Sequence, residues 1–469
     1  MNHHAVINDA VSMTYKDFFK GKRITVMGLG LLGRGLADVA FLAECGAKLI
    51  VTDMKSKEEL APTLAKLKKY KGITYVLGEH RLEDFRDRDM ILKAAGVPRD
   101  SMFIAEARAQ GIPVEMDESL FAKCAPDITI VGVTGTRGKT TTTMLIHHVL
   151  TTARREMSWK RAVWLGGNIR GMATLPLLKK VKAGDIVVLE LSSWQLQGFG
   201  EAHISPHVSV FTNFLDDHLN YYNNDRDAYW ADKANIFSAQ TGRDFLIAPK
   251  DLLQHIQRRY PDLKSHCVVP LDIPRSWQTV LKGEHNRRNI ALAVAATSVF
   301  DIDEKVVEEA VASFEGVEGR LELVRTVNGI SIYNDTTSTT PDSLLAALTA
   351  LGGEQGGEKN IVLIMGGADK NLDMEPVVRR IPEFATTVVL LSGKNTTGSE
   401  KIKPLLNSLE DVHVVEAGGV DEALARAFFF ARPGDTILFC PGFASFGMFQ
   451  NEFDRGDQFT KAVKRLKVV

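Results

Sequence analysis

The sequence predicts an α/β protein of three domains, each built on a mainly parallel sheet covered by helices. Short apolar runs of strand length, each closed by a glycine or a polar loop, alternate along the chain with stretches of helical composition. That alternation is the signature of parallel strands joined by helical crossovers. The chain has 469 residues, and at ~150 residues per domain this allows two to four domains. Ligands of such folds bind beyond the C-terminal ends of the strands, and the motifs below all stand at strand ends.

The first domain is expected over residues 1–125. ITVMGLG reads as an apolar strand ending in glycines, LLGRGLADVAFLAECG as a helix and KLIVTD as a second strand, together a β-α-β unit. DMILKAAGV and IPVEMDE continue it. The second domain, 126–319, opens with DITIVGVTGTRGKT and contains the strand-like GDIVVLELSS and HVSVFTNFL. The third, 320–469, carries GISIYNDTT, NIVLIMGGADK, TTVVLLSGK, VHVVEAG and DTILFCPGF, with SLLAALTAL and VDEALARAFFFA as helices. GGEQGGE, 352–358, reads as a flexible surface loop.

Composition excludes several classes. Lys plus Arg (57) nearly balance Asp plus Glu (58), for a formal net charge of -1. No bulk electrostatic partner such as nucleic acid or an anionic membrane is implied, so an anionic ligand needs a local site. Cys45, Cys124, Cys267 and Cys440 lie far apart without a C-x-x-C pair, which argues against a disulfide framework or a zinc site. The N-terminal stretch MNHHAVINDAVSMTYKDFFKGK lacks a signal-peptide core. No apolar run approaches the ~18 residues that span a bilayer. The expectation is a cytoplasmic protein.

In 130-IVGVTGTRGKTTTTML-145 an apolar strand is broken by glycines and followed by a helix start. Gly135 and Gly138 permit backbone angles that turn amides toward an anion, and the helix N-terminus adds its unpaired N–H groups and partial positive charge. Lys139 would reach the terminal phosphates of a triphosphate and the Thr140 hydroxyl would hold Mg²⁺. The spacing is G-x-x-G-K-T, because Val133 stands where the ordinary P-loop has its first glycine. In 188-VLELSSWQL-196, Glu190 ends a strand otherwise too apolar to welcome a charge, so its carboxylate is either paired or a metal ligand. Lys233 in 229-YWADKANIF-237, read by itself, would be a solvated helix residue, since an ammonium has no lone pair for a metal. In 283-GEHNRRNIALAVAA-296, Asn286 and Asn289 share one helix face. Gly28, Gly30 and Gly33 of 27-MGLGLLG-33, with Asp53 ending the next strand, fit a dinucleotide fingerprint. The fingerprint asks only for a diphosphate at a helix start and a ribose hydroxyl on an acid. It leaves open a nicotinamide oxidoreductase or a UDP-sugar enzyme.

The order T-G-T-x-G-K-T-T-T resembles the ATP loop of the Mur ligase family, which adds amino acids to the peptidoglycan precursor; folylpolyglutamate synthases share it. The resemblance runs from about residue 22 to the C-terminus. It implies a Rossmann-like UDP-binding first domain, a P-loop ATP-binding central domain and a Rossmann-like C-terminal domain for the amino acid. It assigns Gly135, Thr136, Arg137, Gly138, Lys139, Thr140 and Thr141 to the ATP loop. The E-[VL]-S-S-x-Q-L string makes Glu190 a magnesium ligand, and the T-N-x-x-x-D-H string makes His218 a ligand of a second ion. At the position of Lys233 the family has a lysine carbamylated by CO₂, which turns the cation into an oxygen donor. With Thr140 these complete the implied metal set for two Mg²⁺ ions. Asn168, in 166-GGNI-169, falls in a loop near the substrate carboxyl group, and Arg170 stands where the family usually has glycine. Asn286 and Asn289 match adenine or ribose contacts, Arg320 a phosphate contact and Asp335 a ribose contact.

The outer motifs are most similar to the family's D-glutamate-adding branch, so the implied substrates are UDP-N-acetylmuramoyl-L-alanine and D-glutamate, handled by a chain expected to be monomeric. UDP contacts are implied at Leu29, Gly30, Leu31, Asp53 and Lys55, with Leu32 in place of the branch's small hydroxyl residue and 95-AGVPRD-100 in place of its S-P-G-[IV] loop. D-glutamate contacts are implied at Thr339, Lys370, Ser445 and Phe446. Thr337 stands where the branch has a lysine, and Glu452 aligns with a substrate-contacting phenylalanine, Phe453 following one residue later. A rival without catalysis, a nucleotide-binding switch, has no need of Glu190, His218 and Lys233 together. The chemistry follows physically: a carboxylate becomes an acyl donor once the γ-phosphoryl group of ATP is placed on it. Two Mg²⁺ ions would offset the anionic repulsion, and closure of the third domain would keep water from the acyl phosphate.

Overall fold

A computed structural model of the chain describes residues 14–31, 33–98, 100–218, 221–353 and 359–466. The sequence readings that rest on residues 1–13, on Leu32, on Arg99 and on 354–358 lie outside the described residues. Three sheets form. The first uses β1 (Arg23–Met27), β2 (Lys48–Asp53), β3 (Ile73–Leu77), β4 (Met90–Lys93) and β5 (Val114–Glu115). The second uses β6 (Thr129–Thr134), β7 (Val163–Gly167), β8 (Ile186–Glu190), β9 (Val208–Phe211), β10 (Phe245–Ile247) and β11 (His266–Val268). The third uses β12 (Glu322–Val327), β13 (Ile330–Asn334), β14 (Ile361–Met365), β15 (Ala385–Leu391), β16 (His413–Ala417) and β17 (Thr436–Phe439).

The strand orders are β3-β2-β1-β4-β5, β11-β10-β9-β6-β8-β7 and β12-β13-β17-β14-β15-β16. Every pairing is parallel except β12 with β13. The near-continuous apolar runs of β4, β8, β14 and β17 follow from this, because these strands are buried along their whole length. The strands that the sequence does not announce are edge or short ones. β3 alternates polar and apolar residues, β7 ends in two glycines, β10 and β11 are three residues each, and β12 is the antiparallel edge. Gly352 and Gly353, expected in a loop, close a π-helical turn, Thr349–Gly353.

The chain forms two compact units, Met1–Leu271 with Ala291–Ala310, and Asp272–Ile290 with Val311–Val469. In the first unit, one apolar core serves both sheets, running from Phe19, Val39 and Leu49 to Leu189, Trp230 and Phe237. Burying side chains of this size stabilises the fold by ~1.5–3 kcal/mol each. In the second unit, helices cover both faces of the third sheet. Leu344, Met365 and Val388 belong to one core and Ile332, Ile364 and Phe459 to the other, where Phe439 and Phe459 stack at 4.3 Å.

Candidate active site

In the first unit, β6 ends at Thr134 and the helix Lys139–Glu156 begins directly after Gly138, which has φ +80. Gly135, at φ +141, passes against the end of β9 so closely that an added Cβ would lie 1.9 Å from Thr212 Oγ1. The segment after β9 clamps the loop. Asn213 O accepts from Thr136 N at 2.9 Å, Asn213 Oδ1 accepts from Arg137 N at 2.8 Å, and Thr212 Oγ1 donates to Arg137 O at 2.5 Å. The amides of Thr136 and Arg137 thus both bond to Asn213. The first turn of the helix, including Thr140 and Thr141, has no intrahelical acceptors for its N–H groups, as at any helix start. Lys139 Nζ folds back on the loop, donating to Gly135 O at 3.0 Å and Thr136 O at 3.1 Å. Arg137 Nη1 pairs with Asp217 Oδ2 at 2.5 Å.

Lys233 is 1% exposed, on the helix Arg226–Ala234. The reading of this residue as a solvated helix lysine is therefore overturned. Nothing in its immediate sequence reports that this helix turns Lys233 inward. Its Nζ donates to Gly135 O at 2.8 Å and lies 4.8 Å from the Tyr229 ring centroid. Burial holds its pKa well below the ordinary lysine value, and repulsion from Lys139 lowers it further. Tyr229, whose hydroxyl is 3.3 Å from Thr136 Oγ1, is pushed up to about 12, chiefly by burial.

Glu190 ends β8 at 2% exposure. Its Oε1 accepts from Asn168 Nδ2 at 3.3 Å, while its Oε2 has no partner. The two residues are also joined through the backbone, Asn168 N donating to Glu190 O at 2.8 Å. Gly167, at φ +83, permits this contact, because a Cβ there would fall 2.1 Å from Glu190 O. A buried carboxylate oxygen left unpaired is costly unless a cation meets it. His218 is a left-handed residue at φ +53, and its ring stands 4.9 Å from that of Trp194 on the helix that follows Glu190. Among the described residues no three His, Cys, Asp or Glu side chains converge into a ready cation cage.

Gly28 and Gly30 lie in the loop after β1. Asp53, ending β2, uses Oδ2 to accept from Leu29 N at 2.8 Å and Gly30 N at 2.9 Å, and Oδ1 to accept from Lys55 N at 2.9 Å. Its carboxylate thus shapes the loop expected to bind the diphosphate. Leu31 is 53% exposed at the loop tip.

In the second unit, Asn286 and Asn289 share a helix face as expected, Asn289 Nδ2 donating to Asn286 Oδ1 at 3.1 Å. Asp335, at the end of β13, accepts from Leu321 N at 3.0 Å and receives the Cys440 thiol at 3.5 Å; burial pushes its pKa up to about 6. It thereby fixes the segment beside the half-buried Arg320. The loops after β13, β14 and β17, adjacent strands of the sheet, meet. Lys370 Nζ donates to Thr339 Oγ1 at 2.8 Å, and Ala368 and Ala444 exchange backbone bonds at 3.0 and 3.1 Å. Ser445 is buried next to that bridge, whereas Phe446 is 66% exposed. Thr337, in the lysine's place, donates to Gly319 O at 3.0 Å. Sequence reasoning left out two residues. Arg455 is fully buried and spans this loop cluster, donating to Thr336 O at 2.7 Å and Phe443 O at 3.0 Å; its R-G dipeptide was a signal. Arg34 carried no signal, and its contacts are described below.

Comparison with known proteins gives three family matches: the Mur ligase MurD-like N-terminal domain over residues 22–115, the Mur ligase middle domain over 133–269, and the Mur ligase glutamate ligase domain over 319–443. The UDP-N-acetylmuramoylalanine–D-glutamate ligase of Roseiflexus sp. (strain RS-1) is 35% identical, over 95% of this chain and 98% of that protein. The enzyme of that name from Borreliella afzelii is 34% identical, over 96% and 99%. Among solved structures, UDP-N-acetylmuramate-alanine ligase MurC of Thermotoga maritima shares the fold at TM-score 0.58 and 20% identity, over 95% of this chain and 100% of the other. MurF ligase of Thermotoga maritima, solved in complex with ADP, does so at TM-score 0.57 and 18% identity, over 95% and 96%.

Proposed function

This chain belongs to the Mur ligase family, and we propose that it joins D-glutamate to UDP-N-acetylmuramoyl-L-alanine through an acyl phosphate. It is an ATP-dependent amino-acid ligase of peptidoglycan synthesis. The choice of substrates rests on the names of the relatives and on the loops that bring Thr339, Lys370 and Ser445 toward one another. Soluble substrates of this kind fit a cytoplasmic enzyme, and no helix among the described residues is long and apolar enough to cross a membrane.

The observation that carries the mechanism is the unpartnered, buried Oε2 of Glu190. An anionic oxygen there fits a divalent cation. Mg²⁺ characteristically takes one or two protein carboxylates and completes its shell with phosphates and water, so the lack of a three-ligand cage is consistent with such a site. Thr140, Glu190, His218 and Lys233 would hold the ions, Lys233 after addition of CO₂ to its amine. The depressed lysine pKa favours the neutral amine, the form able to attack CO₂. That reaction would replace the amine's bond to Gly135 O. Bound Mg²⁺ supplies charge neutralisation between triphosphate and carboxylate.

The chain's own groups do the rest. The helix start at Lys139 and the Lys139 ammonium hold the triphosphate. Gly135 to Gly138 bring backbone within reach of it, and the Arg137–Asp217 pair fixes the loop's outer side. The alanyl carboxylate oxygen bonds to the γ-phosphorus and ADP leaves. The D-glutamate nitrogen, having lost its extra proton, then bonds to the acyl carbon, and inorganic phosphate leaves. Lys370 would pair with a D-glutamate carboxylate, steadied by Thr339. In the second unit, Asn286, Asn289, Arg320 and Asp335 would hold the nucleoside and phosphates.

The test is phosphate release with ATP, Mg²⁺ and UDP-N-acetylmuramoyl-L-alanine against a panel of D- and L-amino acids. Release with D-glutamate alone is the expected result, and release with a different amino acid would overturn the specificity. Lys233→Met is expected to cut turnover at least ~100-fold, the scale of the several kcal/mol that metal ligation contributes. Full activity in that variant would remove the metal assignment.

A further inference from the structure

Arg34 is the first residue of the helix that follows the glycine loop 28–33. Its guanidinium reaches Asn168 and Glu118. Nη2 donates to Asn168 Oδ1 at 3.1 Å, and Nη1 stands 3.9 Å from Glu118 Oε1. Glu118 is fully buried and is itself fixed, Oε1 accepting from Gln195 Nε2 at 2.6 Å. On its other side the Asn168 amide meets Glu190 Oε1 at 3.3 Å.

We propose that Arg34 is a positioning residue for the metal-holding carboxylate of Glu190, acting through Asn168. The argument is one of donors and acceptors. A guanidinium can only donate and a carboxylate can only accept. An asparagine between them has one consistent orientation, Oδ1 to Arg34 and Nδ2 to Glu190. Turned over, the amide would set its NH₂ against the guanidinium and its carbonyl oxygen against the buried Glu190 carboxylate, two repulsive contacts. Arg34 therefore selects the amide orientation, and the amide in turn ties down Oε1 and leaves Oε2 as the oxygen without a partner. Groups one bond removed from a metal ligand orient it in this way. Because Arg34 starts the helix next to the loop implied in diphosphate binding, the same contact links that loop to the carboxylate. Nothing in the sequence distinguishes this arginine from a solvated one. The inference rests on the reading of Glu190 as a metal ligand.

Mn²⁺ titration of the full-length protein, followed by the loss of the free-ion electron paramagnetic resonance signal, tests it without turnover. Glu190→Gln establishes the Glu190-dependent site. Arg34→Met is expected to weaken Mn²⁺ at that site by ~10-fold, the low end for groups supporting a metal ligand. Arg34→Lys, which still donates to Asn168 Oδ1, is expected to recover most of that loss, and it covers the case in which Arg34→Met folds poorly. In an Asn168→Ala background Arg34→Met is expected to add nothing further, since the route is already cut. Independent, multiplying losses in that double variant would overturn the proposal, as would wild-type Mn²⁺ affinity in Arg34→Met while Glu190→Gln is impaired. Unchanged affinity in Glu190→Gln would instead overturn the underlying metal reading, and this proposal with it.

Discussion

Substitution of Gly135 by alanine tests how the ATP loop is built. The added Cβ would lie 1.9 Å from Thr212 Oγ1 and 3.0 Å from Asn213 N, on a backbone at φ +141. Thr212 cannot yield freely, because its hydroxyl donates to Arg137 O at 2.5 Å and rotation would break that bond. The lost hydrogen bond costs ~1 kcal/mol, and an alanine in a backbone region natural to glycine costs ~1–3 kcal/mol. The sum is ~3 kcal/mol, which for a domain of ~150–250 residues lowers Tm by ~6–12 °C. Gly184→Ala is the control. Gly184 also has a left-handed backbone, φ +84, but nothing lies within 4 Å of its added Cβ, so only the ~1–2 kcal/mol conformational cost applies. Thermal melts of both variants and ATP titrations of Gly135→Ala make up the assay. The expected outcome is a clearly lower melt for Gly135→Ala than for Gly184→Ala, with ATP affinity down by at least ~10-fold, or 1.4 kcal/mol. Equal melts with wild-type ATP binding would refute the claim that close approach to β9 is what requires glycine here.

Asp335 has a folded pKa raised to about 6 from an ordinary 3.8, chiefly by burial. Folding therefore favours the protonated acid, so stability falls as pH rises through the window from about 4 to 6 and stays lower above it. Asp335→Asn keeps an acceptor for Leu321 N and should be more stable than wild type at pH 7.5 by ~2–3 kcal/mol, with the difference vanishing near pH 4; urea denaturation at the two pH values decides it. Lys370→Met should raise KM for the amino acid by ~10–100-fold with a smaller effect on kcat, the worth of a charged hydrogen bond, read from steady-state kinetics. Arg455→Met would strip buried donors from Thr336 O and Phe443 O, costing ~3 kcal/mol in a denaturation midpoint. A wild-type midpoint would show that those carbonyls find other donors.

The fold class lay open in the sequence, and so did the local backbone of the candidate site, for a local reason. A strand buried on both faces is a continuous apolar run, and a loop that must turn sharply against an anion needs glycine at fixed places, so β6, Gly135, Gly138 and the helix after them can be read from neighbouring residues alone. The same holds for Asn286 and Asn289, whose spacing sets a shared helix face. The strands that escaped did so because half-exposed or three-residue segments such as β3 and β10 leave no such trace.

What the tertiary structure alone decided is which groups are buried and which are paired, since both depend on residues distant in sequence. Lys233 looks like a surface lysine until the helix Arg226–Ala234 packs and sets its amine on Gly135 O. The amides of Thr136 and Arg137 look available until Asn213 takes them. That Asp53 also holds Leu29 and Gly30 is visible only in the fold. Glu190 presented a choice between pairing and metal in the sequence, and the fold gives Asn168 to one oxygen and no partner to the other. The sequence by itself determined where the loops stand and which residues they carry; three-dimensional packing determined the protonation, orientation and accessibility of those groups, because desolvation and hydrogen-bond geometry are set by neighbours the local sequence does not contain.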